Sequence, residues 1–99
     1  MANAVEFVSF ALKKGASVPD FLLASEKMNS GSLSRLKGYV SRKLLVHGET
    51  WADLVIWETM EDALNAAKTI GEYDAARAYF SFLDEKSVDM RHFFVEKSY

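Results

Sequence analysis

Ninety-nine residues suit one domain with one core, hiding roughly two-thirds of the surface that its unfolded chain exposes. The 49% apolar and 26% charged residues exclude intrinsic disorder, and a net charge of −2, from 12 basic and 14 acidic residues with no dense basic cluster, speaks against nucleic acid. Cysteine is absent, which excludes disulfides, a thiolate nucleophile and sulfur-ligated metal, so packing alone must hold the fold.

Met1-Ala2-Asn3-Ala4-Val5-Glu6 carries no basic region ahead of an apolar run, and no apolar stretch approaches the ~18 residues that span a bilayer. A cytoplasmic protein without membrane contact is expected.

Val5 to Leu12 is a short run rich in Phe and Val that stops at Lys13-Lys14-Gly15, which predicts a first strand. Ser17-Val18-Pro19-Asp20 combines a capping serine, an early proline and an acid three residues after the serine, the opening of a helix. Val18, Phe21, Leu22 and Met28 then form an apolar stripe with Ser25 on the same face, and the helix is expected to run on through Leu33 and Leu36 to Gly38. Tyr39 to Val46 and Trp51 to Glu58 read as an antiparallel pair joined by His47-Gly48-Glu49-Thr50. Thr59-Met60-Glu61-Asp62 opens a small-residue helix that pauses at Gly71 and resumes from Tyr73 to Leu83, and Val88 to Val95 closes the chain as a strand. The order is β-α-β-β-α-β, an α+β ferredoxin-like unit occupying residues 1–99, with four antiparallel strands and two helices on one face.

Side chains alternate along strands, and both sides of these strands are apolar: Val5 and Phe7 oppose Val8, Phe10 and Leu12, while Leu54 and Ile56 oppose Trp51, Val55 and Trp57. Two helices cover one face of such a sheet. The other face predicts a homodimer.

The segments VEFVSFALKKG, LKGYVSRKLL, WADLVIWETMEDALNAA and SVDMRHFFV, with Phe21 in the helix between the first two, resemble the dimeric α+β barrel superfamily. Within it they are similar to the small antibiotic biosynthesis monooxygenase (ABM)-like proteins, over nearly the whole chain. That resemblance implies two ferredoxin-like subunits with sheets face to face, and a pocket between each sheet and its helices. Relatives of this kind include cofactor-independent monooxygenases of polycyclic phenols, haem-degrading enzymes, small-molecule isomerases and decarboxylases. The haem-degrading branch takes its iron ligand from a histidine of the second helix, and Met60 to Leu83 contains none, so haem is not expected.

Candidate site residues follow from type and placement. His92 lies amid Met90 and Phe94 and could serve as a general base or as a hydrogen-bonded core histidine. Trp51, Asp53, Val55 and Trp57 share one strand face, so two indoles could flank a flat aromatic ligand while Asp53 binds its hydroxyl. Alternatively the indoles fill the core and Asp53 pairs across strands with Arg42 or Lys43. Arg42 could bind a carboxylate bidentately, and Tyr39 can donate a hydrogen bond. No spaced histidine pair suggests a metal, and no glycine-rich phosphate loop is present.

The expected enzyme is a cofactor-free monooxygenase acting on an aromatic or enolisable substrate. In it His92 is the base, Asp53 and Arg42 orient the substrate, and Trp51 and Trp57 form the walls. The alternatives are a non-catalytic binder of a small apolar ligand and a dimeric interaction module.

Overall fold

The computed structural model describes residues 3–99; Met1 and Ala2, the start of the segment read as lacking a leader, lie outside the described residues. Strands β1 (Ala4–Phe10), β2 (Tyr39–His47), β3 (Thr50–Trp57) and β4 (Asp89–Phe94) form one antiparallel sheet in the order β2-β3-β1-β4. Helices α1 (Val18–Gly31), α2 (Met60–Thr69) and α3 (Asp74–Phe80) complete the ferredoxin-like α+β arrangement. Among the described residues no helix is long and apolar enough to cross a membrane.

The capping residues act as expected from the sequence. Ser17 Oγ accepts from the Asp20 amide at 3.3 Å with Pro19 in the first turn, and Thr59 Oγ1 accepts from the Asp62 amide at 3.0 Å. The first helix, however, ends at Gly31 rather than running to Gly38. Ser32 leaves helical geometry, and its buried hydroxyl donates to the Met28 carbonyl at 2.7 Å while its own amide donates to the same oxygen. A serine that doubly satisfies the last carbonyls competes with the next helical turn, and Leu33–Arg35 continues as a 3₁₀ turn. Leu12 also falls outside β1; it makes one isolated bridge to Leu83 instead.

The β2–β3 hairpin turns at Gly48, whose φ of +61° suits a glycine. A bulge at Val40 shifts the register between Tyr39, opposite Trp57, and Ser41, opposite Ile56. The pause read at Gly71 is a 3₁₀ turn, Ile70–Glu72, that separates α2 from α3.

The core lies between the sheet and the helices. Phe21 is fully buried and stacks on Tyr79 with centroids 5.1 Å apart, while Phe10 and Trp51 meet it edge-on at 6.0 and 5.0 Å. Where α2 crosses the sheet its buried apolar residues are small, Ala63 and Ala66, so that helix brings little volume to the layer.

Gly38 sits at φ +85°, and a methyl there would overlap the Asp62 carboxyl, itself buried under the first turn of α2. Gly38→Ala is therefore expected to cost about 2 kcal/mol or more, adding a left-handed residue to a steric clash. A urea midpoint indistinguishable from the parent's would contradict it.

Candidate functional site

Strand register decides which side chains meet the helices. Residues opposite one another in antiparallel strands share a face, so Glu6 and Val8 of β1, Arg42 and Leu44 of β2, Asp53 and Val55 of β3, and Met90 and His92 of β4 all point inward. Between this face and the helices is a cavity of about 400 Å³, within the roughly 300–1,000 Å³ usual for small-molecule sites. Its walls are mainly apolar, from Val8, Met28, Val55, Phe80 and Leu83; Glu6, Arg42, Asp53 and Tyr79 supply polar atoms, and Ala66, Ala67 and Gly71 leave the space open.

Asp53 is bound on both oxygens. Arg42 Nε donates to Oδ1 at 2.8 Å and the Tyr79 hydroxyl donates to Oδ2 at 2.8 Å. The remaining guanidinium nitrogens reach α1, donating to Ser25 Oγ at 2.8 Å and to the Ser25 carbonyl at 3.3 Å, and the guanidinium lies 5.2 Å from the Tyr79 ring centroid. Burial raises the Asp53 carboxyl above its ordinary pKa even though Arg42 and Tyr79 favour its charge. Burial also pushes the Tyr79 phenol up, and the neighbouring Asp53 charge adds to that shift. Tyr79 is thus a fixed donor at neutral pH.

Glu6 is the second buried acid. His92 Nε2 donates to its Oε2 at 3.0 Å across the β1–β4 ladder, where the two residues are direct partners. Burial raises the Glu6 carboxyl above the usual carboxylate value, and the Asp53 charge adds to this; His92 and the nearby Trp57 indole pull it down. Trp57 is fully buried, lines the cavity, and its Nε1–H has no acceptor in hydrogen-bond geometry.

The residues singled out from the sequence divide by position. Trp57, Asp53 and Arg42 line the cavity; Trp51 packs edge-on against Phe21 away from it, and Tyr39 meets Trp57 edge-on at 6.1 Å while its hydroxyl lies 3.4 Å from the Asn29 amide nitrogen. His92 borders Glu6 rather than the cavity. Glu6 and Tyr79 were not foreseen: a lone glutamate in an apolar strand reads as a solvent-facing residue, and Tyr79 sits among core aromatics at helical spacing. The parity of Glu6 with Ala4, Val8 and Phe10 was the available signal. Among the described residues no group of three or more His, Asp or Glu could hold a metal ion.

No protein-family model matches this chain, and no curated protein matches its sequence. Solved structures do match. A cofactor-independent oxygenase, SnoaB from Streptomyces nogalater, superposes with a TM-score of 0.78 at 13% identity, over 99% of this chain and 97% of that one. A proposed antibiotic biosynthesis monooxygenase from Bacillus cereus gives a TM-score of 0.65 at 18% identity, covering 100% and 96%. A dimeric protein of unknown function with a ferredoxin-like fold, from Bacteroides fragilis, gives 0.65 at 15% identity, covering 93% and 95%. The chain therefore has the ferredoxin-like fold of ABM-like proteins along its whole length.

Proposed function

We propose that this protein is a cofactor-independent monooxygenase of the ABM type, acting in the cavity on a polycyclic phenol or a similarly enolisable aromatic compound. The observation that carries this reading is the buried Glu6 carboxyl, its proton affinity raised by burial, on the wall of a mainly apolar cavity of about 400 Å³. Enolisation requires a base that takes a proton from carbon and a donor of suitable charge for the oxygen on which charge develops: Glu6 is the base, and the Arg42 guanidinium on the cavity wall is that donor. Glu6, with its proton affinity raised by burial, is the better base for being less acidic than a solvated glutamate. Arg42, Asp53 and Tyr79 form a rigid polar wall that orients the ring.

Once the substrate carbanion forms, its own electrons reduce dioxygen. A ring CH₂ becomes C=O, one oxygen atom enters the substrate, the other leaves as water, and no cofactor is consumed. The likeness to a protein described as a cofactor-independent oxygenase supports the same reading.

Two copies of the chain are proposed to associate through the outer sheet face, where Val5, Phe7, Leu54 and Ile56 are only partly covered and Leu45 and Phe93 are exposed. The likeness to a structure described as dimeric agrees with that. The setting is proposed to be the cytoplasm, which a chain without cysteine suits.

Oxygen uptake on a panel of polycyclic phenols tests the activity. Glu6→Gln is expected to lower kcat by about 10²–10⁴-fold while phenol binding, followed by quenching of Trp57, persists. Saturable binding without oxygen uptake would instead identify a carrier of such compounds, and an undiminished Glu6→Gln enzyme would remove Glu6 from the base role.

A further inference from the structure

We infer that the compound this site takes is longer than the cavity: it enters polar end first and carries an uncharged apolar arm that lies in the mouth over Phe80, Val88 and Met90. The inference rests on the reading of the cavity as the site of a phenol.

The lining of the cavity divides by depth. Its polar groups form the floor, where Glu6, Asp53 and Tyr79 and the side chain of Arg42 are all buried. The lining residues that water reaches are Lys68 in the last turn of α2, Gly71, Phe80 at the end of α3, Glu85, Val88, and Met90 at the start of β4. The mouth therefore lies between the ends of two helices and the beginning of an edge strand. At this rim Phe80, Val88 and Met90 are 38%, 40% and 49% exposed. A compact ligand that keeps its polar end in water calls for the reverse arrangement, an apolar floor beneath a polar rim.

The sheet-to-sheet dimer proposed above does not cover this rim. Met90 is opposite Val8 in the β1–β4 ladder and shares its inward face, whereas Phe7 and Phe93 belong to the alternate, outer set. Phe80 belongs to a helix and so to the inner side of the sheet. Association through the outer face thus leaves three large apolar side chains wet and continuous with an apolar cavity. Exposed apolar surface joined to a pocket is where a ligand continues.

The chemistry of the arm follows from the rest of the rim. Lys68 and Glu85 carry opposite charges, so the mouth offers no net sign by which to select an ionic group. Selection is left to the three apolar side chains. A methylene laid on them is covered from one side, and is expected to add about twofold to affinity, against about fourfold for one buried on all sides.

Equilibrium dialysis, read by naphthol fluorescence, tests this with 1-naphthol and its 4-n-alkyl derivatives from methyl to pentyl, in which the arm leaves the ring opposite the hydroxyl. Affinity for the parent protein should rise about tenfold or more along the series, and a pentyl-length arm ending in a carboxylate should gain nothing. Val88→Thr combined with Met90→Gln, replacements of similar size at exposed positions, should flatten the series while leaving the affinity for 1-naphthol itself within about twofold. A series that is flat in the parent, a gain that the double variant keeps, or no saturable binding by any member would overturn the inference. Tighter binding of the carboxylate would overturn it too, giving the mouth to an acidic group held by Lys68. A flat series together with loss of the dimer in the double variant, seen by sedimentation, would make the rim a contact between copies instead. Oxygen uptake is read separately. Affinity that rises with the arm in a protein that consumes no oxygen ends the oxygenase reading and leaves the arm standing, and oxygen uptake with a flat series does the reverse.

Discussion

Arg42→Met should destabilise the protein by about 3–5 kcal/mol, the loss expected when one partner of a buried ion pair is removed and the other stays charged. For a chain of this length that is a fall in Tm on the order of 15 °C or more. Arg42 and Asp53 are 6% and 10% exposed, so water cannot take over the guanidinium's part, and Ser25 loses its donor as well. Combining Arg42→Met with Asp53→Leu and Tyr79→Phe should recover most of the loss, since no polar group is then left alone. The pH dependence has a definite sign. Asp53 already has a raised pKa in the folded chain, so the folded state holds more protons than the unfolded one between the two pKa values, and the Asp53 contribution to stability declines as pH rises through that window. Removing Arg42 raises the folded value further and widens the window upward. Arg42→Met should therefore be least impaired in acid and most impaired at neutral pH. Thermal melts that show no loss at neutral pH would mean that Asp53 does not depend on this arginine.

Sedimentation across a dilution series should give a mass twice that of the 11.1 kDa chain, and Phe7→Lys should convert it to a poorly folded monomer. Phe7 lies on β1 opposite Leu54 of β3, at the middle of the outer apolar face, with Ile56 and Val5 as the next opposed pair. Each such side chain is worth about 1.5–3 kcal/mol when fully buried. A lysine at the centre of two apposed faces would place like charges together across the symmetry axis without counterions. An interface of this kind should bury above about 2,000 Å² in total. A stable 11.1 kDa species at micromolar concentration would show that the face is covered by something other than a second copy.

Much of the fold is legible in the sequence because strand parity and capping residues are local properties. The alternation along Trp51 to Trp57 puts Asp53 and Trp57 on one shared face, and of the two cross-strand partners that the sequence offers Asp53, Arg42 and Lys43, it is Arg42 that bonds to it. What was not legible depends on contacts between distant segments. Whether Glu6 faces water or a cavity turns on the helices above β1, not on β1 itself. Trp51 has the same parity as Trp57, yet Phe21 claims it, and only the position of α1 decides that. The overlong first helix has a different cause: Leu33 and Leu36 keep an apolar rhythm past the point where the Ser32 hydroxyl satisfies the helix end.

The 3₁₀ turn at Ile70–Glu72 divides the work of the molecule between two kinds of sequence. Ile70 and Gly71 border the cavity, and the turn is not part of the sheet that carries Glu6, Arg42 and Asp53. A substitution in the turn alters the shape of the chamber without touching the strands that carry Glu6, Arg42 and Asp53 or their ladder hydrogen bonds, so ligand range and chemistry are free to evolve on separate residues. Drift at positions 70–72 would retune what enters long before it touched what reacts.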